Sequence, residues 1–179
     1  MTGHVTWNNQ PVQELPTEVN SLATFVPQHD VLGRLHSLTV EQFLMYAMKL
    51  YCKEQTTVAS RRGVISRYLL LLDLTGVRHS RIFQLSGGQR RRVIFASRLV
   101  VRPRVVFMDE PTTGLDATAS LTVLQNIYNV SKSGATIVCV LHNIDSSCLL
   151  LMDRLYLLHL GRRVFFGSQH DGKAVLLLC

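Results

Sequence analysis

A helical segment that runs into an apolar strand and stops on two adjacent carboxylates leaves few folds open to this chain. Residues 85–116 read LSGGQRRRVIFASRLVVRPRVVFMDEPTTGLD. Gly87-Gly88 stand at the helix start, Val93, Ile94, Ala96, Leu99 and Val100 form its apolar side, and Pro103 closes it. Val105 to Met108 is a continuous apolar run, which predicts a parallel-sheet strand covered on both faces. It ends in Asp109-Glu110, and ligand sites in open α/β sheets collect at such C-terminal strand ends. Successive strand side chains point opposite ways, so the two carboxylates would serve different atoms. That arrangement suits a magnesium–nucleotide site, one carboxylate for the metal and one for a water.

The flanking sequence extends the alternation of helix and strand. Residues 3–14 alternate weakly around an Asn-Asn turn and predict a short hairpin. Leu22 to Gln28 reads as a strand, and Thr39 with Gln42 forms a capping box for a helix to about Tyr51. That helix should bury Phe43, Leu44, Ala47 and Leu50, with Met45, Tyr46 and Met48 as further core. A second helix is expected over 62–72, and another from about Thr118 to Ser131 with Gly134 as its stop. Thr136 to Leu141 reads as a second buried strand ending at His142. A short helix over 146–152 then leads to a hairpin, 154–160 and 163–166, around Gly161. The sum is an α/β fold with a parallel sheet core.

Composition narrows the classes. The 179 residues suit one domain, and the apolar runs are far too short to span a bilayer. No basic region precedes an apolar N-terminal core, which argues against a signal peptide. Cys52, Cys139, Cys148 and Cys179 are scattered without a C-x-x-C pair, arguing against a metal site or disulfide. The net charge of +7 falls in separate clusters, at Arg61-Arg62, Arg90 to Arg92, Arg98 to Arg104 and Arg162-Arg163. Without interleaved aromatics this reads as a solvated surface near nucleotide or anionic lipid, and argues against nucleic acid as partner.

Together these residues resemble the ABC ATPases. LSGGQ looks like the family's signature motif, VVFMDEPTTGLD like its Walker B strand and D-loop, His142 like its switch histidine, and Gln28 in FVPQHD like its Q-loop glutamine. The blocks FVPQHDVL, LTVEQFLMYAMKL, DEPTTGLDATAS and MDRLYLLHLGRRVFFG are similar to the G, or white/pigment, subfamily of transporters. Two positions depart from that pattern: Gln89 stands where glutamate is frequent, and Asn143-Ile144 where Gln-Pro is.

The resemblance implies a partial P-loop NTPase fold over residues 1–167, a helical signature subdomain at about 38–100, and a tail at 168–179. It implies ATP and Mg²⁺ as cofactors. Asp109 would hold the metal, with Gln28 sensing it; Glu110 would be the general base and His142 would hold it in line. Ser86, Gly87, Gly88 and Gln89 would meet the ATP of an opposite subunit, and Asp116 would bridge the two. The implied partners are a second ABC nucleotide-binding domain, in a homo- or heterodimer, and a transmembrane domain at the cytoplasmic face of a membrane. No stretch matches the phosphate loop G-x-x-x-x-G-K-[ST] that such a strand usually accompanies. The chain therefore reads as the C-terminal two-thirds of such a domain, expected not to bind ATP tightly by itself. Two alternatives stay open: a non-catalytic short form that pairs with a full-length half-transporter, and a soluble ABC ATPase acting on nucleic acid or the ribosome.

Overall fold

In the computed structural model, residues 6–7, 9–11, 23–28, 33–52, 57–142 and 146–176 are described. The strands are β1 (Thr6–Trp7), β2 (Gln10–Pro11), β3 (Ala23–Val26), β4 (Val105–Asp109), β5 (Thr136–Val140), β6 (Arg154–His159) and β7 (Arg162–Ser168). The helices are α1 (Val40–Tyr51), α2 (Val58–Leu71), α3 (Gly87–Leu99), α4 (Ala117–Lys132), α5 (Ser146–Leu149) and α6 (Gln169–Leu176). The expected alternation of elements is present, and the centre is a parallel sheet in the order β3-β4-β5. β1 and β2 make the anticipated small hairpin, with Asn9 at φ +65 in its turn. Leu22, His29-Asp30 and Asn143-Ile144 lie outside the described residues.

The strand register explains where the core sits. Val26, Met108 and Cys139 form one cross-strand row, and Phe25, Phe107 and Val138 form the next. Rows alternate between faces because the pleat has a period of two. The first row faces α3 and α4: Val26 and Met108 are buried there, with Val93, Ile94, Leu99, Val123 and Ile127. The second row is open, with Phe25 55%, Phe107 43% and Val138 46% exposed. The expectation of two strands buried on both faces is thus corrected. Continuous apolar sequence shows that both faces can be covered, whereas here only one is.

Local chemistry sets the helix boundaries. Thr39 and Gln42 make the capping box of α1 in both directions, at 3.2 and 2.9 Å. The buried side of α1 is Val40, Leu44, Ala47 and Met48, so the assignment of Leu50 to the core is wrong; Leu50 is 77% exposed. The expected face was rotated toward the solvent side, since Met48 lies one turn beyond Leu44 and Leu50 does not. Tyr46 is likewise exposed. Helix α2 starts four residues earlier than expected because Thr57 caps it, accepting from Ser60 N at 3.2 Å. Gly134, at φ +108, follows α4 as anticipated. The segment read as a tail contains α6, which packs on the β6–β7 hairpin.

The helices α1, α2 and α3 form a layer held by two arginines. Arg78 donates to Glu41 at 2.6 Å and to Ser66 at 2.9 Å. Glu41's carboxyl is held below its ordinary value chiefly by that hydrogen bond. Arg92 is 9% exposed and donates to the carbonyls of Leu72 and Asp73 at 2.9 and 3.2 Å. The reading of Arg90 to Arg92 as solvated surface is therefore corrected for Arg92, which satisfies the carbonyls where α2 ends.

Candidate functional site

Strand β4 ends at Asp109, and the chain turns at once. Glu110 adopts φ +44, its N–H donates to Val140 O at 3.0 Å, and its carbonyl accepts from Thr113 N at 3.2 Å. A non-glycine residue in the left-handed region costs roughly 1–2 kcal/mol, and such residues cluster at functional sites. The two carboxylates diverge because of this turn rather than the strand pleat alone. Asp109 stays in register with Val140, half-buried, on the same face as Phe107 by alternation.

Three side chains converge on the Glu110 carboxylate. Gln28 Nε2 donates to Oε2 at 2.6 Å and Thr113 Oγ1 to the same oxygen at 2.6 Å. His142 Nε2 lies 3.0 Å from Oε1. Gln28 reaches it from the end of β3 and His142 from just past β5, so adjacent strands of one sheet deliver all three groups. The structure thus brings together Gln28, Glu110 and His142, which are far apart in sequence. Thr113 was missed. Its signal was its position three residues after Glu110, the reach of a turn that bonds back on itself. Beside this cluster opens a cavity of about 680 Å³, lined by polar Glu110, Thr113 and His142 and by apolar Leu121, Leu124 and Leu141.

The glycine pair belongs to a second cluster. Ser86 caps α3, its Oγ accepting from Gln89 N at 3.2 Å while its own N–H donates to Gln89 Oε1 at 3.0 Å. Gln89 is thereby engaged within the chain, and a capping box accepts glutamate or glutamine equally at this position. Gln89 in place of glutamate leaves the cap intact. Asp116 caps α4, accepting from Ala119 N at 2.8 Å. The two helix starts meet at a depression of about 230 Å³ lined by Ser86, Gly88, Arg92, Asp116, Thr118 and Thr122. Amides in a first helical turn have no intrahelical acceptor and favour anions.

Neither glycine is required by the packing. A Cβ on Gly87 would meet Leu115 Cδ2 at 3.6 Å and one on Gly88 would meet Ala119 Cβ at 3.5 Å, ordinary contacts, and neither has positive φ. Among the described residues no cluster of three metal-ligating side chains is present, and no helix is long and apolar enough to cross a membrane.

Comparisons with known proteins give the family and the fold. The family model described as ABC transporter matches residues 1–113. The chain is 32% identical over 154 residues to ABC transporter G family member 11 of Arabidopsis thaliana, covering 83% of this chain and 22% of that protein. It is 32% identical over 161 residues to the ABC-type transporter claG of Penicillium crustosum, covering 87% and 21%. The chain thus spans about a fifth of the length of these relatives. Among solved structures it superposes on cbiO1 from Clostridium perfringens, part of an ABC transporter complex, with a TM-score of 0.83 at 24% identity, covering 99% of this chain and 70% of that one. An ATP-binding cassette of an ABC transporter in its ADP conformation gives 0.81 at 22% identity, covering 98% and 73%. With LSGGQ, the carboxylate strand and His142 on the fold of an ABC ATPase domain, and with an ABC transporter G family member among its relatives at 32% identity, the chain belongs to the ABC transporter family.

Proposed function

We propose that the chain is part of the ATP-binding and ATP-hydrolysing machinery of a transmembrane transporter, working at the cytoplasmic face of a membrane with a transmembrane domain and a second nucleotide-binding domain. The observation that carries this reading is the convergence of Gln28, Thr113 and His142 on the Glu110 carboxylate. A carboxylate steered by three neighbours is placed to accept a proton from a water, and positioning of this kind is most of what phosphoryl transfer asks of protein.

The residues fit ATP and Mg²⁺ unevenly. Asp109, at the sheet's C-terminal end, has the oxygen donor that Mg²⁺ takes, and Gln28 lies beside the same end. When bound, the metal supplies neutralisation of phosphate charge. Ser86, Gly87 and Gly88 fit a phosphate brought by another subunit, since the α3 start has room and the Gly87 and Gly88 amides have no acceptor within the helix. Asp116 beside them would line that subunit contact. For a nucleotide of its own the chain has no glycine-rich loop with lysine, the group that binds most triphosphate charge. By itself it neither holds ATP tightly nor turns it over.

Calorimetry with Mg·ATP and co-expression with a G-type half-transporter test this together. No heat of binding is expected at micromolar ATP for the chain alone, and a changed ATPase rate is expected in the co-expressed pair. Micromolar affinity of the isolated chain would refute its dependence on another phosphate loop. A partner rate indifferent to the chain and to its Gly87→Asp variant would refute the pairing through the α3 start.

A further inference from the structure

We propose that Arg91 is a positioning residue that ties the start of helix α3 to Glu110 by way of Gln28. Arg91 lies five residues past the cap Ser86, about 7.5 Å along the helix axis at 1.5 Å per residue. Its Nη1 donates to the carbonyl of Pro27 at 3.4 Å and to the carbonyl of Gln28. Those carbonyls sit just past the end of β3, where Val26 is buried at 1% exposure and Pro27 offers no N–H to a strand ladder. The Gln28 side chain continues the connection, its Nε2 donating to Glu110 Oε2 at 2.6 Å across 82 residues of sequence. One helix therefore carries both the amides of the signature face and the guanidinium that fixes the glutamine touching the carboxylate.

The chemistry favours arginine in this role. Both carbonyls accept from one nitrogen, Nη1, which the planar guanidinium holds in a fixed direction, whereas an ammonium turns freely at the end of its stem. A displacement of α3, such as a ligand at its N-terminus would cause, moves the two carbonyls and with them the Gln28 carboxamide. Arg91 reads in the sequence as one of three consecutive arginines, yet it is half-buried against the β3 end, while Arg92 holds α2. The importance of the link rests on the functional reading of Glu110; its existence does not.

The test is the side-chain amide signal of Gln28 in ¹⁵N-correlated NMR spectra of the full chain, assigned by its disappearance in Gln28→Ala. No nucleotide is needed, so failure here and failure of the transporter reading are separate results. In Arg91→Met, which keeps the aliphatic stem, the Gln28 amide protons should move to the position of the exposed Gln125 amide. Their hydrogen exchange should quicken roughly fivefold, the factor for one net hydrogen bond. Arg91→Lys should fall between, and Arg104→Met, at an exposed site, should leave the signal in place. An unchanged Gln28 signal in folded Arg91→Met overturns the proposal, as does an equal shift in Arg104→Met. Should Arg91→Met not fold, Arg91→Lys decides: a partial shift supports the tie and a wild-type spectrum overturns it.

Discussion

Gly88→Ala separates a glycine kept for the fold from one kept for a visitor. In the chain alone the added methyl meets only Ala119 Cβ, at 3.5 Å, and the backbone has no positive φ to strain it. Alanine in place of glycine in a helix gains up to about 1 kcal/mol, and a first-turn position should yield roughly half of that or more. Against a slope of about 2–4 °C per kcal/mol for a domain of this size, the midpoint of thermal unfolding should rise by roughly 1–4 °C. Gly63, inside α2 with nothing within 4 Å of its missing Cβ, provides the control: Gly63→Ala should stabilise by about 1 kcal/mol. The difference between them should emerge with a partner present. Gly88→Ala should abolish any effect of the chain on a half-transporter's ATPase rate, and Gly63→Ala should preserve it. Circular-dichroism melts of both variants and the coupled ATPase assay suffice. A Gly88→Ala chain destabilised by 1 kcal/mol or more, or one that still modulates the partner, would refute the reasoning.

Two further outcomes follow from the arginine contacts. Arg92→Met should cost about 2–4 kcal/mol in urea unfolding, because it strands the carbonyls of Leu72 and Asp73. Asp73→Asn should cost under about 1 kcal/mol, since the Asp73 carboxylate is 81% exposed and asparagine tolerates its φ of +51. The Glu41–Arg78 pair should register in the pH dependence of stability. Glu41's carboxyl is lowered from 4.5 by the Arg78 hydrogen bond, so its contribution is complete above that value and is lost as pH falls below it. Denaturant melts from pH 6 to 3 should show a loss in wild type that Glu41→Gln largely lacks.

Legibility in the sequence followed the range of the interaction. Thr39 with Gln42 was readable as a cap because the partnership closes within three residues, and the Gly87-Gly88 pair marked the start of α3. Asp109, Glu110 and His142 could be placed at strand ends from apolar runs alone. The pairing of Gln28 with Glu110 spans 82 residues, and only likeness to a known family put both at one site. The φ of +44 at Glu110 left no local trace, since glutamate is an unusual occupant of that region. Arg91 and Arg92 carry the same side chain, yet one grips the β3 end and the other the α2 end. That distinction depends on the azimuth around α3, and a run of identical residues does not encode it.

The open row of Phe25, Phe107 and Val138 has a consequence for the life of the polypeptide. Aromatic and branched side chains ranked across three strands make a contiguous oily patch, and such patches are adhesive in a crowded solution. Chaperones survey nascent proteins for surfaces of this kind. Solubility of residues 1–179 expressed by themselves would then be set less by the well-packed interior beneath α3 and α4 than by how promptly this side of the sheet finds a cover.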